Sequence, residues 1–148
     1  QTFEPNSKVA VRHEYVPLVG GSAGSALYPQ YRSDDSDSIL TEYRTKYCLD
    51  DSILAGVDKR VANPSGDEAQ QTYMGETWLS YVLSSGANWS GPIRDFRLVV
   101  DKGSPDNLVS LCMDGVTKIS PTRFEVKKTN FEPSRDLDVL ILSFFRYD

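Results

Sequence analysis

His13 is the only histidine in the chain, and histidine is the commonest general base. A catalytic role would need a nucleophile and an orienting acid gathered round it in space. It falls between Val11 and Tyr15 on what reads as the apolar face of a strand, so a buried, hydrogen-bonded core histidine is expected. Glycoside hydrolysis needs two carboxylates at a set separation, and the chain holds 21 acidic residues. Asp101, Asp106 and Asp136 fall in turns near strand ends, where site residues often sit. With Lys102 and Arg135 beside them, solvated turn residues or structural ion pairs are expected. Asp34, Asp35 and Asp37 offer oxygens suited to calcium, but they lack the central Gly and downstream Glu of an EF-hand loop. Helix N-capping accounts for them without a metal. The Gly20–Gly24 run follows a strand as phosphate loops do. It lacks both the Lys-Ser/Thr ending and the GxGxxG spacing, and reads as a flexible surface connection.

The segment Gly86-Ala87-Asn88-Trp89-Ser90-Gly91-Pro92 sets an indole in a Gly- and Pro-bounded loop. Packing under the sheet is the favoured reading for Trp89. Otherwise Asn88 and Trp89 belong to a recognition surface, the indole stacking on a sugar ring or a partner's apolar side chain. These residues form no coherent catalytic set, and no cofactor is expected.

The two cysteines, Cys48 and Cys112, are too distant in sequence for a CxxC redox or zinc motif. Two cysteines and one histidine cannot complete a structural zinc site without carboxylate help. Two buried thiols and one disulfide both remain open. A bridge would close a loop of about 65 residues, worth roughly 4 kcal/mol in the loop-entropy account. Compartment decides between them, and composition does not supply it.

Those residues must be positioned by a chain of 148 residues with Lys+Arg 16 against Asp+Glu 21, a net charge of −5. That length fits one domain. A hydrophobic share of 39% with 11% aromatics argues against disorder. No apolar run approaches the ~20 residues of a membrane-spanning helix. The acidic balance argues against nucleic acid as a partner, since phosphate demands a basic face. No basic segment followed by an apolar stretch opens the chain, so no signal peptide is read.

Residues 7–17 alternate, with Val9, Val11, His13 and Tyr15 on one side, and predict a first strand ended by Pro17. Ile39, Leu40, Tyr43 and Tyr47, then Leu49, Ile53, Val57 and Val61, recur at helical spacing and predict a helical hairpin over 36–62. Strands are predicted at 76–85, 94–101, 108–113, 116–119, 122–128 and 137–145. The last is almost wholly apolar and reads as a central strand covered on both faces. Asp114-Gly115 reads as a hairpin turn. Over 122–128, Phe124 and Val126 are expected inward, and Arg123, Glu125 and Lys127 outward. The sum is α+β: a mostly antiparallel sheet or sandwich of about six to seven strands, carrying the helical hairpin after the first strand.

Several stretches resemble an uncharacterised bacterial family, domain of unknown function 4424. They are Ser85–Ile93, Phe96–Gly103, Pro105–Ser110, Ile119–Glu125 and Phe131–Leu142 with its Arg135-Asp136-Leu137-Asp138. His13-Glu14-Tyr15 with the glycine loop, and Tyr47-Cys48 followed by Asp50, are similar too. The resemblance implies a protein exported by a Gram-negative bacterium, periplasmic or secreted. It also implies that this chain is the C-terminal portion of a longer protein, whose N-terminal β-rich portion would be its nearest partner, packing beside 7–17. In an exported protein the favoured reading becomes a Cys48–Cys112 disulfide pinning the helical hairpin to the sheet. The resemblance brings no catalytic residues. An antiparallel β-rich fold, no coherent catalytic set and that exported address together lead to a non-enzymatic interaction module, with a carbohydrate or protein ligand in the envelope. The alternative is a cell-envelope hydrolase acting on carbohydrate or cell-wall material, with His13, Asp101 and Asp136 as candidates.

Overall fold

A computed structural model describes residues 5–32, 37–68 and 71–146. Its elements in chain order are β1 (Gly20–Ser22), α1 (Asp37–Tyr47), α2 (Asp51–Val61), β2 (Tyr73–Tyr81), β3 (Ile93–Asp101), β4 (Leu108–Leu111), β5 (Thr117–Lys118), β6 (Arg123–Phe131) and β7 (Leu137–Phe145). The fold is α+β and β-rich, with two antiparallel sheets ordered β1-β2-β7-β4 and β3-β6-β5. As its apolar composition implies, β7 is interior to its sheet, paired with both β2 and β4.

Side-chain alternation assigns the two faces of the first sheet. Across β2 and β7, Met74 opposes Phe144, Glu76 opposes Leu142 and Trp78 opposes Leu140. This face meets the helices. Leu54, Val57 and Val61 of α2 and Tyr47 at the end of α1 pack with Met74, Leu140 and Leu142 into one core. Met74, Leu140 and Val57 are fully enclosed, each removal from water contributing about 1.5–3 kcal/mol. The opposite face turns Leu79, Val139 and Ile141 toward Leu98 and Val100 of β3, around a cavity of about 250 Å3 between the sheets. The architecture is therefore a sandwich with the helical hairpin laid on one outer side.

Asp50 starts α2, its carboxylate accepting from the Ile53 amide at 2.9 Å. At the other end of the hairpin turn Cys48 takes φ 53°, the left-handed C′ conformation that usually favours Gly. Its sulfur bonds Cys112, just past β4, with the two Cα atoms 4.9 Å apart. The hairpin is thus bonded to the sheet by the cysteine pairing that an exported protein was expected to have.

Several sequence expectations are corrected. Residues 8–19 belong to no strand among the described residues, and His13 is exposed. Val11 and Tyr15 are about 60% exposed (60% and 62%), so the alternation there has no core to face. The first strand is instead Gly20–Ser22, paired with Trp78, Thr77 and Glu76. The connection after it is not loose: Leu27 is fully buried, and its carbonyl accepts from Arg32 Nε at 2.7 Å. Arg32 in turn bridges Asp58 at 2.8 Å. Strand β2 ends at Tyr81, and a 3-10 turn over Ser84–Asn88 replaces the tail of the predicted strand. Asp114-Gly115 makes its turn, with Gly115 at φ 77°. The strands it joins lie in different sheets, however, so it closes no hairpin. Glu125, expected in water, is buried beneath Arg97 at 2.6 Å and Lys127 at 3.0 Å. Those two cations hold its carboxyl below the usual range, Lys127 foremost. The N-capping expected of Asp34, Asp35 and the Asp37 side chain lies outside the described residues.

Candidate functional site

The residues singled out by sequence do not converge. Asp101 accepts from Arg123 Nε at 2.8 Å and from the Gly103 amide at 3.0 Å, which lowers its carboxyl, the arginine contributing most. Asp136 accepts from the Ser84 and Leu83 amides at 2.9 and 3.0 Å, and these bonds also lower it. Each carboxylate therefore holds a turn. Asp101 borders the inter-sheet cavity, whereas Asp136 borders a separate one beside the disulfide. No hydrogen bond joins His13 to either among the described residues. Asn88 lies in the 3-10 turn, and Trp89 is 64% exposed, so its indole does not pack under the sheet.

A different cluster does converge, where β1, β2 and α1 meet. Glu76 sits mid-strand on the core face between Met74 and Trp78 and is 4% exposed. Its Oε2 accepts the Tyr43 hydroxyl at 2.5 Å. Its Oε1 is buried with no hydrogen-bond partner among the described residues. Burial above all, then the bond to Glu76 and its charge, push the Tyr43 hydroxyl well above the usual tyrosine range. It therefore stays a neutral donor at any ordinary pH.

The elements around Glu76 leave an opening over it. Ser22 pairs with Glu76 across β1 and β2. Gly20, two residues back, is the partner of Trp78, and a Cβ there would come 1.8 Å from the indole nitrogen. Only glycine lets the indole lie across β1. Beyond β1 the chain turns, with the Ser22 hydroxyl accepting from the Gly24 amide at 3.3 Å and the Ser25 hydroxyl from the Leu27 amide at 2.9 Å. Ser22, Gly24, Ser25, Ala26, Tyr43, Glu76 and Trp78 line an open pocket of about 400 Å3. Its chemistry is that of an acceptor. One carboxylate oxygen lacks a donor, two hydroxyls and two aromatic rings flank it, and no cationic side chain lines it among the described residues.

Sequence reading missed this site. Tyr43 falls in the helical apolar stripe of 36–62, and Trp78 within the strand predicted at 76–85, so neither stands out by its spacing. The available signal was Glu76 itself, a carboxylate alternating with Met74 and Trp78 on a face that had to be buried.

No group of three or more His, Cys, Asp and Glu side chains among the described residues is arranged to hold a metal ion. No helix among them is long and apolar enough to cross a membrane. In comparison with known proteins, a family model described as a domain of unknown function (DUF4424) matches residues 1–140. No curated protein and no solved structure matches the sequence.

Proposed function

The chain belongs to the DUF4424 family, and on that premise we propose that it is a non-enzymatic binding module exported by a Gram-negative bacterium to the periplasm or beyond. The observation that carries the binding role is the half-satisfied carboxylate of Glu76, a residue that lines the β1–β2–α1 pocket. Buried acceptors are ordinarily paired, so an unpaired one on a residue that lines an open pocket marks a place for a ligand's donor. The Cys48–Cys112 disulfide supports the exported address, because such bonds persist in oxidising compartments. The separate, turn-holding bonds of Asp101 and Asp136 favour binding over envelope hydrolysis.

The exposed apolar side chains between Val9 and Val19, with Val16 94% and Leu18 100% exposed, support a seam against an N-terminal portion of a longer exported protein.

Fractionation of a Gram-negative host making the intact protein tests the address. The protein should appear in the periplasm or medium with both cysteines oxidised; a reduced, cytoplasmic protein would refute it. A hydrolase screen on glycans and cell-wall material should be blank. An activity abolished by His13→Ala, without loss of fold, would replace the binding module with an enzyme. Slower amide exchange over 8–19 in the intact protein than in this chain is expected from the seam, and equal rates would remove it.

A further inference from the structure

We propose that the Glu76 pocket takes a protonated amine: a small ligand whose primary ammonium pairs with Glu76 Oε1, the side chain turning outward from its buried position to meet it. This rests on the pocket being a binding site and adds the chemistry of what enters it. Glu76 is 4% exposed, and only its Oε2 is served, by Tyr43 at 2.5 Å. The remaining oxygen can take a donor, a positive charge, or both. An ammonium supplies both, whereas a neutral hydroxyl leaves the buried carboxylate without a counter-charge.

The surroundings select the same chemistry. The lining holds no lysine, arginine or histidine among the described residues, so no side chain there neutralises Glu76. Glu42 adds negative charge next to Tyr43 on α1. A hard divalent cation would want six or more oxygens, and among the described residues this corner has one carboxylate and no cluster of metal-binding side chains. An ammonium has three donors in one compact group. One is for Oε1 of the turned-out carboxylate, and the Ser22 and Ser25 hydroxyls of the same lining can accept the others. The Trp78 and Tyr43 rings border the same space, and aromatic walls favour an organic cation over a hydrated metal ion.

The carrier of the amine is either an aliphatic chain or an amino sugar, and the probes separate them. The disulfide-intact chain is titrated at matched ionic strength with butylammonium, glucosamine, glucose and N-acetylglucosamine. Melting temperature and tryptophan emission are followed. A ligand that binds only the folded state must raise the melting temperature. Both amines should raise it saturably if the ammonium alone is read, and glucosamine alone if the sugar ring is also held. Glucose and N-acetylglucosamine, which lack the charge, should leave it unchanged. Glu76→Gln keeps the shape and should weaken amine binding by about tenfold or more. Ser22→Lys, at an exposed position, brings an ammonium of the protein's own beside the carboxylate. It should block the probes equally and covers the case in which the Gln variant does not fold. A neutral sugar that binds as well as glucosamine, and depends on Glu76, would overturn the amine while leaving the pocket a binding site. A wild-type amine response retained in both variants would also overturn it. Silence from all four probes would overturn the amine and the pocket reading together.

Discussion

Gly20 and Trp78 are partners across β1 and β2, and they occupy one space. A Cβ on residue 20 would stand 1.8 Å from the indole Nε1 and 2.3 Å from Cε2. The contact is with a ring wedged in the sheet, which cannot turn aside as the end of a flexible chain can. Gly20→Ala should therefore move the indole or lift β1. Forced overpacking of this kind costs about 1–3 kcal/mol. A urea midpoint lowered accordingly, with altered tryptophan emission, is the expected result. An unchanged midpoint would show that β1 is not held against Trp78.

The Tyr43–Glu76 bond makes a second prediction, on stability rather than ligand. Tyr43→Phe removes the one donor that serves the buried carboxylate among the described residues. Hydrogen bonds to charged groups contribute about 1.5–3 kcal/mol, and a loss of that size is expected at neutral pH. The pH sign follows from the raised hydroxyl value. Folding holds the proton on Tyr43 more tightly than the unfolded chain does. That stabilisation is complete below the ordinary tyrosine value near 10 and falls away as pH climbs from there through the higher folded value. Urea titrations above about pH 10 should show wild type losing stability more steeply than Tyr43→Phe. Parallel alkaline limbs would count against a buried Tyr43 hydroxyl that folding keeps protonated.

How far the sequence discloses this fold depends on whether a pattern has a partner to act on. The repeat of Leu49, Ile53, Val57 and Val61 predicts α2 correctly because the face it makes packs against Met74, Leu140 and Leu142. The continuous apolar run of 137–145 predicts β7 because both its faces are covered. The alternation of Val9, Val11, His13 and Tyr15 is as regular, but alternation describes a surface and not whether a ladder lies beside it. Strand β1 is the converse: two glycines and a serine show no periodicity, and the pairing exists because a missing Cβ makes room for Trp78. Gly115 announces a left-handed turn without saying that the chain then changes sheets. The Glu76 pocket was the least legible part. It is assembled from a helix, two strands and a turn, and one charge on an apolar face was its single trace.

The bond between Cys48 and Cys112 spans 64 residues of chain. Cross-linking a loop of that length removes entropy from the unfolded state worth about 4 kcal/mol. Cys48→Ser with Cys112→Ser, compared with the oxidised chain in urea, should lose most of that. The helices should loosen first, because α1 and α2 are the elements the bond ties to the sheet. Amide exchange should then rise in α1 and α2 more than in β6. A uniform rise across the chain would mean that the bond stabilises the molecule as a whole and does not pin the hairpin.

Asp50 supplies the last prediction, at the joint between the helices. Its Oδ1 accepts from the Ile53 amide at 2.9 Å and from the Ser52 hydroxyl at 2.6 Å. These bonds, the serine's foremost, lower its carboxyl below the usual range. Asp50→Ala should cost about 0.5–2 kcal/mol at pH 7, the ordinary value of an N-cap. Asp50→Asn retains a capping oxygen but carries no charge, so it should cost less. The pH dependence separates charge from cap. The folded carboxylate releases its proton more readily than the unfolded one, so its extra stabilisation is complete above the unfolded value near 3.9 and fades as pH falls through the lower folded value. The gap between wild type and Asp50→Asn should therefore close below about pH 4, while the gap to Asp50→Ala narrows without vanishing. Urea midpoints measured from pH 7 down through that range decide it. An Asn gap that stays constant with pH would mean that the carboxylate's charge contributes nothing to holding α2.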